Sequence, residues 1–204
     1  MPQAVWQQVQ HALLSESEVL QARPHNLAEL ESFLPEADAF APASVLCGLV
    51  PRADGLHVLL TKRSQHLRHH PGQISFPGGR IESGDTNPFD AAVREAREEI
   101  GLQVQHIRLI GYLDPLVTIT GFRVYPAVAM IDSAYQAEPD GVEVEALFEA
   151  PLSLFLDAAN EHPFDIEFRG TMRHLKEFRW QDHRIWGATA SMLVNLRQRL
   201  GELQ

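Results

Sequence analysis

The chain has 204 residues, 45% of them hydrophobic and 22% charged, which is the composition of a globular fold of about one domain and excludes a disordered chain. Its net charge of −10, from 27 acidic residues against 17 Lys and Arg, argues against a general nucleic-acid binder, which needs a basic footprint. It leaves open an anionic small substrate whose charge is neutralised locally.

One cysteine, Cys47, is present, so no disulfide framework can form within the chain. Within its apolar run it reads as a small buried hydrophobe. No apolar run reaches the ~20 residues of a membrane span. The N-terminus carries no basic stretch followed by an apolar core, so a soluble cytoplasmic protein is expected.

In chain order, residues 3–34 read as helical, broken at Arg23-Pro24, with Leu27, Leu30 and Leu34 at helical spacing after Asn26 as a cap. Residues 35–42 read as a linker. Strands are expected over 43–50 and 56–61, joined as a hairpin by the turn 51–55, and a short one over 73–76 leads into Pro77-Gly78-Gly79. A helix follows the polar loop. Asn87 caps it, Pro88 takes its first position, Asp90 sits in its first turn and Gly101 ends it. Phe89, Val93, Ala96 and Ile100 share one side of this helix and are expected to pack on a sheet, with the glutamates pointing elsewhere.

Further strands are expected over 104–112, 122–131 and 142–148, with a loop over 133–141 and a short helix over 151–159. Residues 162–180 are ambiguous, although Phe164, Ile166 and Phe168 alternate as in a strand. Residues 188–200 form an amphipathic helix with Leu193, Leu196 and Leu200 on one face. Strands before and after one strongly marked helix suggest an α+β fold, a mixed α/β/α sandwich. The expected division is an N-terminal helical extension, 1–41, and a main domain, 42–204.

The chemistry concentrates in the helix. Glu95, Glu98 and Glu99 stand at i, i+3 and i+4, within roughly 100° of one helix face. Like charges so close repel by a few tenths of a kcal/mol per pair. Such a string is either a solvated acidic face or a set of hard oxygen ligands for Mg²⁺ or Mn²⁺. Arg94, four residues before Glu98, can pair with it or orient it. Gly78 and Gly79 form a tight turn that permits close approach. His66, His69 and His70 lack a spacing that would gather them on a metal, and read as exposed or substrate-lining residues.

Residues 94–102, Arg-Glu-Ala-Arg-Glu-Glu-Ile-Gly-Leu, match the second half of the pattern G-x5-E-x7-R-E-U-x-E-E-x-G-U, with U apolar, and the chain therefore resembles the Nudix hydrolases. The first half departs from it. Asp85 stands in place of Glu, and eight residues separate it from Arg94 where the pattern has seven. Upstream, Leu59 to Gly79 meets every fixed position of L-L-T-x-R-S-x3-R-x3-G-x3-F-P-G-G, which resembles the coenzyme A pyrophosphatase branch of that family. A lengthened loop with Asp is also familiar in that branch. Arg184-Ile185-Trp186-Gly187-Ala188-Thr189-Ala190 is similar to a stretch near the end of its members.

The resemblance implies a Nudix-like fold with one catalytic loop-helix-loop and extra terminal helices. It implies Mg²⁺- or Mn²⁺-dependent cleavage of a coenzyme A-type nucleotide by a monomer or homodimer, with Glu95, Glu98 and Glu99 as metal ligands. Glu95 and Glu98 are further assigned a part in catalysis. The base is either Glu95 or a later acid, for which Glu143 is the candidate and Glu145, on the same face if this is a strand, the rival. Arg63, Arg68, Gly78 and Gly79 would contact substrate; Arg94 and Gly101 would support the site. The arginines can equally hold their own loop. The alternatives are another nucleoside diphosphate derivative as substrate (NADH, ADP-ribose, a dNTP) and a non-catalytic binding module of the same fold.

Overall fold

The computed structural model describes residues 9–30, 33, 40–168 and 170–201. Residues 9–12 are helical, and two short helices follow, α1 (Glu16–Gln21) and α2 (Leu27–Leu30). Strands β1 (Ala41–Arg52), β2 (Gly55–Arg63), β3 (Ile74–Ser75) and β4 (Gly78–Arg80) lead to helix α3 (Pro88–Ile100). Strands β5 (Ile107–Tyr112), β6 (Leu116–Val117), β7 (Phe122–Ile131) and β8 (Val144–Pro151) precede α4 (Leu152–Leu156). Strands β9 (His162–Phe168), β10 (Thr171–Trp180) and β11 (His183–Trp186) end in α5 (Gly187–Gly201).

Among the described residues, β1 to β8 make one mixed sheet along the path β3-β2-β1-β7-β5, with β4 on β1, β6 on β7 and β8 on β2. The β1–β7 pair is parallel and every other pairing is antiparallel. β9 to β11 make a separate antiparallel sheet.

β1 is buried over most of its length, as a central strand covered on both faces must be. Its alternation divides the core. Leu46 and Val50 meet Ala92, Ala96 and Ile100 of α3 on one face. Cys47 and Leu49 belong to the other face, with Phe155, Phe178, Ile185, Leu193 and Leu196. A helix thus covers one side of the sheet, and α4, α5 and the small sheet cover the other. This is the expected α+β sandwich, and no described helix is long and apolar enough to cross a membrane.

Several expectations change. The β1–β2 loop is shorter than expected, since Arg52 pairs with Gly55 and only two residues turn. Residues 104–106 form a 3₁₀ turn, so β5 starts at Ile107. The ambiguous 162–180 region is the β9–β10 hairpin, paired from Thr171–Phe168 to Glu177–His162. Asn26 does not cap a helix. Its buried side chain donates to the Val117 carbonyl at 2.8 Å and accepts from the Val117 N–H at 2.9 Å, completing the short β6 where a strand partner is missing. Residues 3–8, 31, 32 and 34 of the predicted helical region, and 35–39 of the predicted linker, lie outside the described residues.

The N-terminal segment is held by polar contacts as well as by packing. Leu14 and Tyr112 exchange backbone hydrogen bonds at 2.8 and 2.9 Å, and Arg199 donates to the Ala12 carbonyl at 2.9 Å. The same arginine forks onto Asp114, at 2.8 and 2.5 Å, with Asn195 as a further donor at 2.8 Å. Burial pushes the Asp114 carboxyl up, but the bonds from Arg199 and Asn195 outweigh it and hold it below its ordinary value.

A depressed carboxyl contributes stability that is present above its unfolded value, about 3.9, and is lost as pH falls through the folded value. Asp114→Asn is therefore expected to cost about 1.5–3 kcal/mol at pH 7, the range for hydrogen bonds to charged groups. Urea unfolding should show the gap between variant and wild type closing as pH falls below the ordinary carboxylate value of about 3.9. A gap that stays constant with pH would assign the loss to something other than this charge.

Candidate functional site

The site begins with a helix that is well specified locally. The Asn87 side chain accepts from the Asp90 N–H at 2.9 Å, Pro88 opens α3, and Gly101 ends it in the left-handed conformation at φ 65°. Each of these features was legible in the sequence. The packing face is made of Ala91, Ala92, Ala96 and Ile100, with Phe89 and Val93 only half-buried.

The three glutamates separate by environment. Glu98 is solvent-facing, with its side chain 61% exposed. Glu95 is half-buried. Glu99 is 6% exposed, so it does not point away from the sheet as expected. The reason is angular: it sits between the buried Ala96 and Ile100 turns, on the margin of the packing face.

The expected Gly78-Gly79 turn is instead the start of β4, which lies under these carboxylates. Gly78 and Gly79 pair with Val45 and Ser44 of β1. The Gly78 N–H donates to Glu99 Oε2 at 3.1 Å. A Cβ on Gly79 would stand 2.5 Å from Glu95 Cδ, and one on Gly78 would stand 2.4 Å from the Ser44 carbonyl oxygen, at φ +155°. One glycine makes room for a carboxylate and the other for a neighbouring strand.

The electrostatics follow from this crowding. Burial raises the Glu95 carboxyl above its ordinary value, against the hydrogen bond and charge of Arg94, and the charges of Glu98 and Glu143 add to the rise. Burial pushes the Glu99 carboxyl up to about 8, with the Gly78 N–H opposing and the charge of Glu95 adding to it. Carboxylates desolvated beside one another favour protons or a cation.

Arg94 organises the rim. Its principal partner is Asp85 and not Glu98. It forks onto Asp85 at 3.1 Å through both Nε and Nη2, donates to the Arg80 carbonyl at 2.8 Å, and reaches Glu95 at 2.9 Å and Glu98 at 3.4 Å. The Asp85 carboxyl is held below its ordinary value chiefly by the Arg94 hydrogen bond. The lengthened loop therefore brings its shorter acid back onto the helix arginine.

The later acids do not share a strand face. β8 starts at Val144, and Glu145 falls in a register shift: Lys62 pairs with Ala146 while Arg63 pairs with Val144. Glu145 turns to Lys62 at 2.9 Å. Glu143 precedes the strand, 3.9 Å from Arg63, and its charge acts on both Glu95 and Glu99.

Asp140, which sequence reasoning missed, holds Glu143 in place. Its carboxylate accepts from the N–H groups of Val142, Glu143 and Val144 at 2.9–3.2 Å. Its own N–H donates to the Glu99 carbonyl at 2.9 Å, and Glu138 N–H donates to the Ile100 carbonyl at 2.9 Å. The loop is thus tied to the C-terminal end of α3. The Asp-Gly pair was the available signal, but it marks only a turn.

Arg63 joins this group. Its charge reaches Glu99, and its buried Nε carries no hydrogen bond. Arg68 is exposed and not drawn into it. His66, His69 and His70 are also exposed. Gly101 acts only as the helix end.

Among the described residues, no three His, Cys, Asp or Glu side chains are gathered closely enough to hold a metal ion as they stand. The donor set nonetheless suits a hard divalent cation: only carboxylate oxygens, one of them buried with a raised pKa and a single hydrogen bond. Glu95, Glu98 and Glu99 are the side chains that would hold it.

A family model described as the NUDIX domain matches residues 40–153. The chain is 41% identical over 161 residues to a protein of Enterobacter sp. named Uncharacterized Nudix hydrolase NudL, spanning 78% of this chain and 82% of the relative. It is 42% identical over 163 residues to one of the same name from Escherichia fergusonii, with the same two shares. A solved Nudix hydrolase from M. smegmatis, RenU, superposes with TM-score 0.48 and 24% identity over 56% of this chain and 72% of that one.

Proposed function

The chain belongs to the Nudix family, and from that premise we propose that it hydrolyses the pyrophosphate bond of coenzyme A or its acyl derivatives, with a divalent cation, to 3′,5′-ADP and 4′-phosphopantetheine or its acyl form. The observation that carries this reading is the seating of Glu99 and Glu95 against Gly78 and Gly79 of β4, with the more exposed Glu98 on the same helix. The substrate class rests on the Leu59–Gly79 segment, which runs through β2 into that turn. The retained glutamate set favours catalysis over a non-catalytic binding module.

Mg²⁺ or Mn²⁺, when bound, would neutralise phosphate charge and lower the pKa of a water. Glu95, Glu98 and Glu99 would hold the cation. Arg94 holds Glu95 through one nitrogen while Asp85 and the Arg80 carbonyl fix the rest of its guanidinium. Arg63 is placed to exchange Glu143 for a phosphate oxygen, since its fork binds two oxygens. Glu143 is the acid placed to take the proton of the attacking water, with Glu95 as its rival. The water oxygen adds to one phosphorus, and the anhydride oxygen leaves with the other phosphate. The catalytic domain of this reading is the expected 42–204, extended back to Ala41 where β1 begins, with the preceding residues as an extension, acting in the cytoplasm.

Incubation with Mg²⁺ or Mn²⁺ and coenzyme A, an acyl derivative, NADH, ADP-ribose and dNTPs tests the substrate. Coenzyme A or its thioester is expected to give the highest kcat/KM. Faster turnover of any of the others would overturn the substrate assignment while leaving the reaction class.

A further inference from the structure

A cleft of about 310 Å³ opens between residues 71–74 and the end of the small sheet, lined among others by Lys62, Gln73, His183, Arg184 and Trp186. It is separate from the glutamates. In a chain of net charge −10, this lining carries two cationic side chains, Lys62 and Arg184, against one acid, Asp182, itself 89% exposed.

Arg184 is the fixed element. Its Nε donates to Glu177, which is 1% exposed and also takes Arg179 at 2.7 and 2.8 Å. Two guanidinium groups thus share one buried carboxylate. The Arg184 guanidinium lies 4.4 Å from the Phe164 ring centre and 5.7 Å from that of Trp186. Carboxylate and rings hold it in place, while its side chain remains 51% exposed.

Lys62 is the movable element. Its pair with Glu145 is partly exposed on both sides, and such pairs are weak enough to exchange for another anion. His183 is stacked on Phe148 at 3.9 Å, with the Asp182 carboxylate 3.7 Å away.

We propose that this cleft is a second anion site that takes the phosphomonoester of a nucleotide, with Arg184 and Lys62 on the phosphate and the nucleoside beside Trp186. Arginine supplies the directed donors and lysine the point charge. The ligand is either the phosphomonoester end of the enzyme's own substrate or a free nucleotide. Because the catalytic reading makes adenosine 3′,5′-bisphosphate a product, the claim rests on the loss of its binding in the Lys62 and Arg184 variants and not on its binding alone.

The test titrates the metal-free full chain with adenosine 3′,5′-bisphosphate and with adenosine. The bisphosphate should bind at least tenfold more tightly. Lys62→Gln should weaken it severalfold, and Lys62→Gln with Arg184→Gln by tenfold or more, with adenosine unaffected. Unchanged bisphosphate affinity in Lys62→Gln, whose partly exposed pair does not hold the fold, would overturn the proposal, as would equal binding of adenosine. Kinetics separate the two sources. A KM raised by Lys62→Gln for coenzyme A but not for its 3′-dephosphorylated form assigns the cleft to the substrate, whereas binding lost with both KM values unchanged assigns it to a free nucleotide. Absence of turnover on either would defeat the catalytic reading and leave the binding result standing.

Discussion

Glu98→Gln is expected to lower kcat by about 10²–10³-fold at saturating Mg²⁺ or Mn²⁺, the scale on which one electrostatic contributor to a charged transition state is felt. The structure makes this substitution a clean one. Glu98 is mostly exposed, and its recorded partner is Arg94 at 3.4 Å, an arginine already engaged by Asp85, Glu95 and a carbonyl. Removing its charge should therefore leave thermal unfolding of the metal-free protein nearly unchanged. It should even relieve a like charge, since Glu98 helps to raise the Glu95 carboxyl. A loss of turnover with an intact melting curve is the expected result. Undiminished turnover in the variant would remove Glu98 from the metal-holding set.

Glu143→Gln is expected to lower kcat by about 10²–10⁴-fold with little change in KM, the range for losing a positioned general base. Glu145→Gln, two residues on, should stay within about twofold of wild type. The contrast follows from the break in alternation. Glu145 falls in the register shift and pairs with Lys62, whereas Glu143 stands before the strand, its backbone N–H held by Asp140, and acts on Glu95 and Glu99. Gln keeps the shape and removes the basicity, so a merely structural Glu143 would lose little. Full activity in Glu143→Gln would pass the role to Glu95. A large loss in Glu145→Gln alone would mean that the acids are placed otherwise than described.

The helix was the most legible part of the molecule because its signals are local. Asn87, Pro88, Asp90 and Gly101 each satisfy or end backbone groups within a turn of themselves, and their meaning does not depend on the rest of the chain. The strand Phe122–Ile131 was legible with the same bounds, as an apolar run buried almost throughout. Period-two alternation was the weaker guide. It misled at 142–148, because a register shift is a property of two strands and cannot be read from one. Asn26 misled likewise. A polar side chain before a leucine-rich turn reads as a cap, yet its partner lies 91 residues away.

By itself the sequence determined the acidic helix, with its cap and its end, and the family to which it belongs. Three carboxylates at i, i+3 and i+4 must share a helix face whatever surrounds them. Only the tertiary structure decided that they are unequal, with Glu99 buried to a pKa of about 8 and Glu98 left in solvent. It also decided that Asp85 holds Arg94, and that Glu143 stands beside Arg63 while Glu145 pairs with Lys62. Helical geometry is set by covalent periodicity and neighbouring residues. Desolvation and charge coupling are set by groups far apart in the chain, which become neighbours only when the sheet forms.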